Sequence, residues 1–224
     1  MYKVAIDGPS GAGKSTLSRE IAKRLGFIYV DTGAMYRAAA LACLRAGINS
    51  KKEPEAAAEK VGSIRIDIDY GGDGTQLVIL DGEDVTGSIR TPEVSVAASD
   101  VSAIPAVRLK LVELQRELSK AHNVIMDGRD IGTYVLPDAE VKIFLTADVA
   151  DRAKRRYDEL VLKGESCTYE EVLADMQYRD ENDSSRAFAP LVPAEDSIQV
   201  DTSGNTYGES LDLLYQTIKE RLKL

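Results

Sequence analysis

Basic residues are in the minority in this sequence, and histidine and cysteine are nearly missing. The 224 residues include 28 Lys+Arg against 37 Asp+Glu, for a formal charge of −9. With no basic run, the chain lacks the electrostatic footprint by which proteins hold nucleic-acid polymers. It has one histidine, His122, and two cysteines, Cys43 and Cys167, far apart and outside any C-x-x-C pair. That argues against a zinc site of Cys and His and against a disulfide framework, and it suits a reducing cytoplasm. No apolar run approaches the ~18 residues of a membrane span. The first residues run straight into Lys3-Val4-Ala5-Ile6-Asp7-Gly8, with no signal-peptide pattern. A cytoplasmic protein without a membrane or nucleic-acid partner is expected.

A globular core remains. The hydrophobic share is 44%, which is ordinary for a folded domain, and the length suits a single unit. Val4-Ala5-Ile6 reads as a buried strand. Leu17, Ile21 and Leu25 then recur at helical spacing, with Gly26 as a stop. Phe27 to Val30 reads as a second strand, and residues 34–46 as an alanine-rich helix closed by Gly47. Ile64, Ile66 and Ile68 alternate with charged residues. With the turn Gly71-Gly72-Asp73-Gly74 and the strand Gln76 to Leu80, they predict a small antiparallel insertion. Thr91-Pro92 and Pro105 open helices. Val124 to Asp127, Val141 to Leu145 and Ile198 to Val200 are further strands. Thr168-x-x-Glu171 and Thr206-x-x-Glu209 fit capping boxes. Strands alternating with helices predict an α/β fold with a parallel central sheet and helices on both faces.

The strongest chemical signal is Gly8-Pro9-Ser10-Gly11-Ala12-Gly13-Lys14-Ser15-Thr16. It satisfies G-x-x-x-x-G-K-[ST] and lies between a strand and a helix, the context that separates a phosphate-binding P-loop from a chance glycine-rich turn. Backbone N–H groups there cradle phosphates, Lys14 reaches the β- and γ-phosphates, and the Ser15 hydroxyl ligates Mg²⁺. A guanine-reading N-K-x-D motif is absent.

A kinase also needs cations for its acceptor, because two polyanions must be brought together. Arg37 follows the second strand and Arg129 follows the strand ending at Asp127, both at the carboxyl edge where sheet ligands bind. Asp127 is either a metal partner, directly or through water, or a strand-end cap. Arg152, Arg155 and Arg156 share a helical face, either cationic and functional or solvated and paired with Asp151, Asp158 and Glu159. Arg179, Asp183 and Arg186, at i, i+4 and i+7, would point one way from a helix but could also form a polar loop. Tyr36 reads as core packing and His122 as a surface residue at a helix end.

Several segments together resemble the bacterial cytidylate kinases over nearly the whole chain. They are Ile6 to Thr16, Asp31-Thr32-Gly33-Ala34-Met35-Tyr36-Arg37, Asp127-Gly128-Arg129-Asp130-Ile131-Gly132-Thr133, Pro137-Asp138-Ala139 and Arg186-Ala187-x-Ala189-Pro190-Leu191. The resemblance implies a three-layer P-loop kinase fold with its core at about 1–60, 121–150 and 195–224. A monophosphate-binding insertion would span about 62–103 and a helical lid about 150–190. It implies ATP-dependent phosphorylation of CMP and dCMP with Mg²⁺. Arg37 and Arg129 would hold the acceptor phosphate, Thr32 would also belong to the substrate site, and Ser99, Arg108 and Asp130 would read cytosine. Arg179 and Asp183 would address the ribose, with Arg186 near the base or the transferring phosphate. Lys14, Arg129, Arg152, Arg156 and Arg186 would serve catalysis, in a monomer. Phosphorylation of UMP, AMP or a shikimate-like acceptor is the alternative within enzymes, and a regulatory NTPase switch the alternative outside them.

Overall fold

The computed structural model describes residues 1–224. In chain order, β1 (Lys3–Asp7) leads through the glycine-rich loop into α1 (Lys14–Leu25), and β2 (Ile28–Asp31) into α2 (Thr32–Arg45). Next come α3 (Pro54–Ser63), β3 (Ile66–Tyr70), β4 (Gln76–Leu80) and β5 (Glu83–Asp84). After a short 3₁₀ turn at Ser88–Arg90 follow α4 (Pro92–Ser102), α5 (Pro105–Lys120) and β6 (Val124–Gly128). The chain ends with β7 (Val141–Thr146), α6 (Val149–Leu162), α7 (Tyr169–Ser185), β8 (Ile198–Asp201) and α8 (Tyr207–Leu222).

Five strands form a wholly parallel sheet in the order β2-β6-β1-β7-β8. Alternation along the strands divides the core into two layers. Val4, Ile6 and Ile125 face α1 and α8, where Leu17, Ile21, Leu214 and Ile218 are buried. Ala5, Val124 and Met126 face the opposite way, toward α2, α4 and α5. Alanines at 34, 38, 39 and 42 let α2 pack closely there. From central β1 the chain crosses to the edge strand β2, returns to β6 between the two, and then passes to β7 and β8 on the other side of β1, so the crevice of the sheet opens at the carboxyl ends of β1, β2 and β6.

β3, β4 and β5 form a separate antiparallel sheet. It is tied to the open edge of β2 by side chains. The Gln76 amide accepts from Asp31 N at 2.8 Å and donates to Asp31 O at 3.2 Å, standing in for a ladder partner. The Tyr70 hydroxyl donates to Tyr29 O at 3.2 Å.

The structure departs from the sequence reading in a few places. α2 starts at Thr32 because the Asp31 carboxylate accepts from Ala34 N at 2.9 Å and caps it. α3 was not foreseen, since only Ala57 and Val61 of its residues are buried and mark a face. Ile64 precedes the β3 strand, and β5 adds a third strand too short to show a period. α7 extends to Ser185, so Arg179 and Asp183 are helical and Arg186 caps the end. Both capping boxes form, at Thr168 with Glu171 and at Thr206 with Glu209. No helix is long and apolar enough to cross a membrane.

Candidate active site

A cleft of about 1,040 Å³ runs along the carboxyl edge of the sheet, floored by the glycine-rich loop and walled by α2, α4, α6 and α7. Gly8 carries φ +147°, and a Cβ there would lie 1.9 Å from Leu145 O, so the loop can leave β1 only through glycine. The buried Lys14 side chain folds back over the loop, and its Nζ donates to the Gly8 and Pro9 carbonyls, each at 2.7 Å. Burial, and then the charge of Arg129, lowers the Lys14 pKa to about 7. An anion between them would remove that repulsion.

Asp127 is the last residue but one of β6, beside the loop. It accepts from Ser15 Oγ and from the Tyr29 hydroxyl, both at 2.8 Å. Burial, with Asp31 close by, raises its pKa. Thr32 Oγ1 donates to the Asp127 carbonyl at 2.8 Å, joining the start of α2 to the same strand end.

Farther along the cleft is a set of arginines on buried carboxylates. Asp31 holds Arg37 at 2.9 Å and Arg90 at 3.1 Å. Burial opposes its ionisation, but the two guanidiniums outweigh burial and hold its pKa down. Arg129 Nε donates to Asp183 Oδ2 at 2.6 Å, and Arg186 lies 3.6 Å from the other oxygen. These two cations likewise overcome burial and depress the Asp183 pKa. Arg179 is held by no carboxylate, and its Nε has no partner. Burial, then Arg129, lowers its pKa to about 10.

Deeper in, Arg108 pairs with Asp130, both out of solvent, and donates to Ser102 O at 3.2 Å. Its guanidinium lies over the Tyr36 ring, 5.4 Å from the centroid. Ser99 Oγ accepts from Asn182 Nδ2 at 2.9 Å, so a residue of α7 orients it. Arg186 reaches Ser102 Oγ at 3.3 Å and Ala189 O at 2.9 Å.

The three arginines of α6 point differently, not along one face. Arg152 is buried behind the loop, where it donates to Ser10 O at 2.8 Å and pairs with Asp180 at 2.8 Å. Arg155 donates to Thr202 O at 3.0 Å, and Arg156 pairs with Glu159 at 2.9 Å. Arg155 and Arg156 line the cleft; Arg152 does not, and neither do Gly8 and Pro9. The remaining loop residues, Ser10 to Thr16, line it. So do Thr32, Arg37, Ser99, Arg108, Arg129, Asp130, Arg179, Asp183 and Arg186. His122 is exposed beyond the end of α5.

Three contributors escaped the sequence reading, and Tyr36, read as core packing, lies in the core as expected but also lines the cleft. Arg90 sits alone between turn residues and Asn182 lies in a polar run; neither carries a periodic signal. Asp7 accepts from the N–H groups of Ile131 and Gly132 at 2.8 and 2.7 Å, fixing the turn that presents Arg129 and Asp130. Burial raises its pKa to about 7. Its place in the Asp-Gly pair ending β1 was the only hint. No cluster of three or more His, Cys, Asp or Glu side chains is placed to hold a metal.

Comparison with known proteins agrees with this geometry. The family model described as cytidylate kinase matches residues 4–220. A cytidylate kinase of Caldicellulosiruptor saccharolyticus is 53% identical, with 96% of each chain covered. One from Caldicellulosiruptor bescii is 52% identical, with 98% of each covered. The crystal structure of an uncharacterized protein from Eubacterium ventriosum superposes with a TM-score of 0.53 at 11% identity, over 98% of this chain and 99% of that one, a likeness of fold alone.

Proposed function

The chain belongs to the cytidylate kinase family, and we propose on that premise that its cleft passes the γ-phosphoryl group of ATP directly to the phosphate of CMP or dCMP. The observation that carries the reading is the meeting, in one cleft, of a P-loop lysine with arginines of α2, α7 and the turn after β6 beside a buried Arg108–Asp130 pair. A hydrolase needs the first alone. A kinase for a charged, base-bearing acceptor needs all of them.

ATP lies with its β- and γ-phosphates on the N–H groups of Ser10 to Thr16 at the start of α1, where helix dipole and amides favour anions. Lys14 releases the Gly8 and Pro9 carbonyls for phosphate oxygens. Arg37, Arg129 and Thr32 hold the acceptor phosphate. Arg179 and Asp183 address the ribose, and Arg186 stands between base and transferring group. Cytosine presents an amino donor and ring acceptors, complementary to the Asp130 carboxylate, the Arg108 guanidinium and the Ser99 hydroxyl.

An acceptor-phosphate oxygen attacks the γ-phosphorus in line. The new P–O bond forms as the bond to the β,γ-bridging oxygen breaks, and ADP leaves with that electron pair. The attacking oxygen is already anionic, so no general base is needed. The residues contribute positioning and charge neutralisation. Arg156 reaches the transferring group when the lid, about 150–190, closes with the insertion, about 62–103. Arg152 steadies Ser10 from behind. Closure excludes water and suppresses ATP hydrolysis.

Ser15 and Asp127 present one hydroxyl and one carboxylate, hard oxygen donors that suit Mg²⁺ carried in on nucleotide phosphates better than an all-protein cage. When bound, the ion supplies neutralisation of the β,γ-phosphate charge. The acting unit in this reading is a monomer. The two cysteines are unpaired, which suits the cytoplasm.

ATP chiral at the γ-phosphorus tests the route. A single in-line transfer gives CDP with inverted configuration. Retention would require a phosphoenzyme and would overturn the mechanism.

A further inference from the structure

We propose that Arg90, a residue of the insertion, is a direct ligand of the acceptor phosphate beside Arg37. The inference rests on the reading above, in which Arg37 holds the phosphate of CMP. Arg37 Nη2 and Arg90 Nη1 bond the same atom, Asp31 Oδ2, at 2.9 and 3.1 Å. Their nitrogens are therefore no farther apart than two hydrogen-bond lengths, a span that the oxygens of one phosphate bridge. A phosphate reached by Arg37 lies within reach of Arg90.

Charge points the same way. One carboxylate serves two guanidiniums, leaving a net positive pair at the N-terminus of α2, beside Thr32 and Gly33 in the cleft. A phosphate monoester carries roughly −1.5 to −2 at neutral pH and three acceptor oxygens, which matches that surplus. Asp31 cannot follow the arginines outward. It is buried, and its other oxygen caps α2 through Ala34 N. It acts as a resting counter-ion that the phosphate replaces.

The backbone of Arg90 is fixed, while its side chain, held only at its tip by Asp31, is partly exposed. Ile89 before it is fully buried, and Thr91 after it caps α4 through Val94 N at 3.2 Å. The Arg90 side chain itself is 44% exposed against 4% for Asp31. Arg37 and Arg129 belong to the core, whereas Arg90 belongs to the segment that carries β3, β4 and β5. A phosphate held by Arg90 as well as Arg37 therefore has contacts from both the insertion and the core.

Calorimetric titration of the wild type, Arg90→Ala and Arg90→Lys with CMP, cytidine and ATP tests this. Loss of a charge-assisted phosphate contact weakens CMP binding by about 10- to 100-fold in Arg90→Ala. Arg90→Lys loses less, and cytidine and ATP binding stay unchanged. CMP binding at wild-type strength in Arg90→Ala overturns the proposal. So do parallel losses for CMP and cytidine, because a residue that only seats the insertion affects both. Failure of the wild type itself to bind CMP would overturn the acceptor reading instead.

Discussion

Replacing Arg108 with methionine removes the cation from a pair that solvent scarcely touches. The Arg108 and Asp130 side chains are 1% and 5% exposed, and no other side chain pairs with Asp130. Methionine roughly fills the volume, so the dominant cost is a carboxylate left buried and unpaired. Stranding one member of a buried pair costs about 3–5 kcal/mol. In a domain of this size each kcal/mol lowers Tm by about 2–4 °C, so the single variant should melt about 6–20 °C below the wild type. Adding Asp130→Asn removes the stranded charge and should recover at least half of that loss. Activity should not recover with it: the double variant keeps a folded ATP site but has lost both groups expected to read cytosine. Thermal melts of the four proteins of the cycle, with CMP turnover on each, provide the test. A single variant within about 2 °C of the wild type would refute the burial argument, since the lower bound of the pair's cost would be missing. Recovery of turnover together with stability would refute the base-reading role.

Other expectations are more local. Gly8→Ala should abolish ATP binding or fold poorly, because its Cβ would meet Leu145 O at 1.9 Å; normal nucleotide affinity would contradict the close approach. Lys14→Ala should lower turnover by orders of magnitude with an unchanged melt, and near-normal turnover would sink the P-loop role. Asp183→Ala should change the CMP-to-dCMP rate ratio if the carboxylate addresses the sugar; an unchanged ratio removes it from that place. The Asp7 carboxyl is raised by burial from 3.8 to about 7, so its folded form binds more protons than its unfolded form between those values. Its contribution to stability is full below about pH 4 and is lost as pH rises through about 7. The stability advantage of the wild type over Asp7→Asn should therefore shrink across that range. An advantage that is flat or growing with pH would contradict the burial effect.

The elements that could be read from residues alone were those with a local cause. The P-loop, both capping boxes, Pro92 and Pro105 at helix starts, and the period of Leu17, Ile21 and Leu25 each need only neighbours within a turn or two. α3 had too narrow an apolar face to register, and β5 too few residues. In the site, residues next to a recognisable motif were found: Lys14, Arg37, Arg129. Arg90 and Asn182 were not, because what ties each to the site is a partner distant in sequence, Asp31 and Ser99 respectively; Tyr36 was read as core packing, which it is, but its place over distant Arg108 was not legible. Arg152 shows the converse. Helical spacing grouped it with Arg155 and Arg156, but the carbonyl of Ser10 and the carboxylate of Asp180, both distant in sequence, draw it behind the loop.

Acceptor identity is tested most directly by ADP release from the purified protein, ATP and Mg²⁺ over a panel of CMP, dCMP, UMP, AMP and shikimate. Strong stimulation by CMP and dCMP, with little release in the absence of an acceptor, is the predicted result. Preference for AMP or shikimate, or release that no acceptor changes, would contradict it.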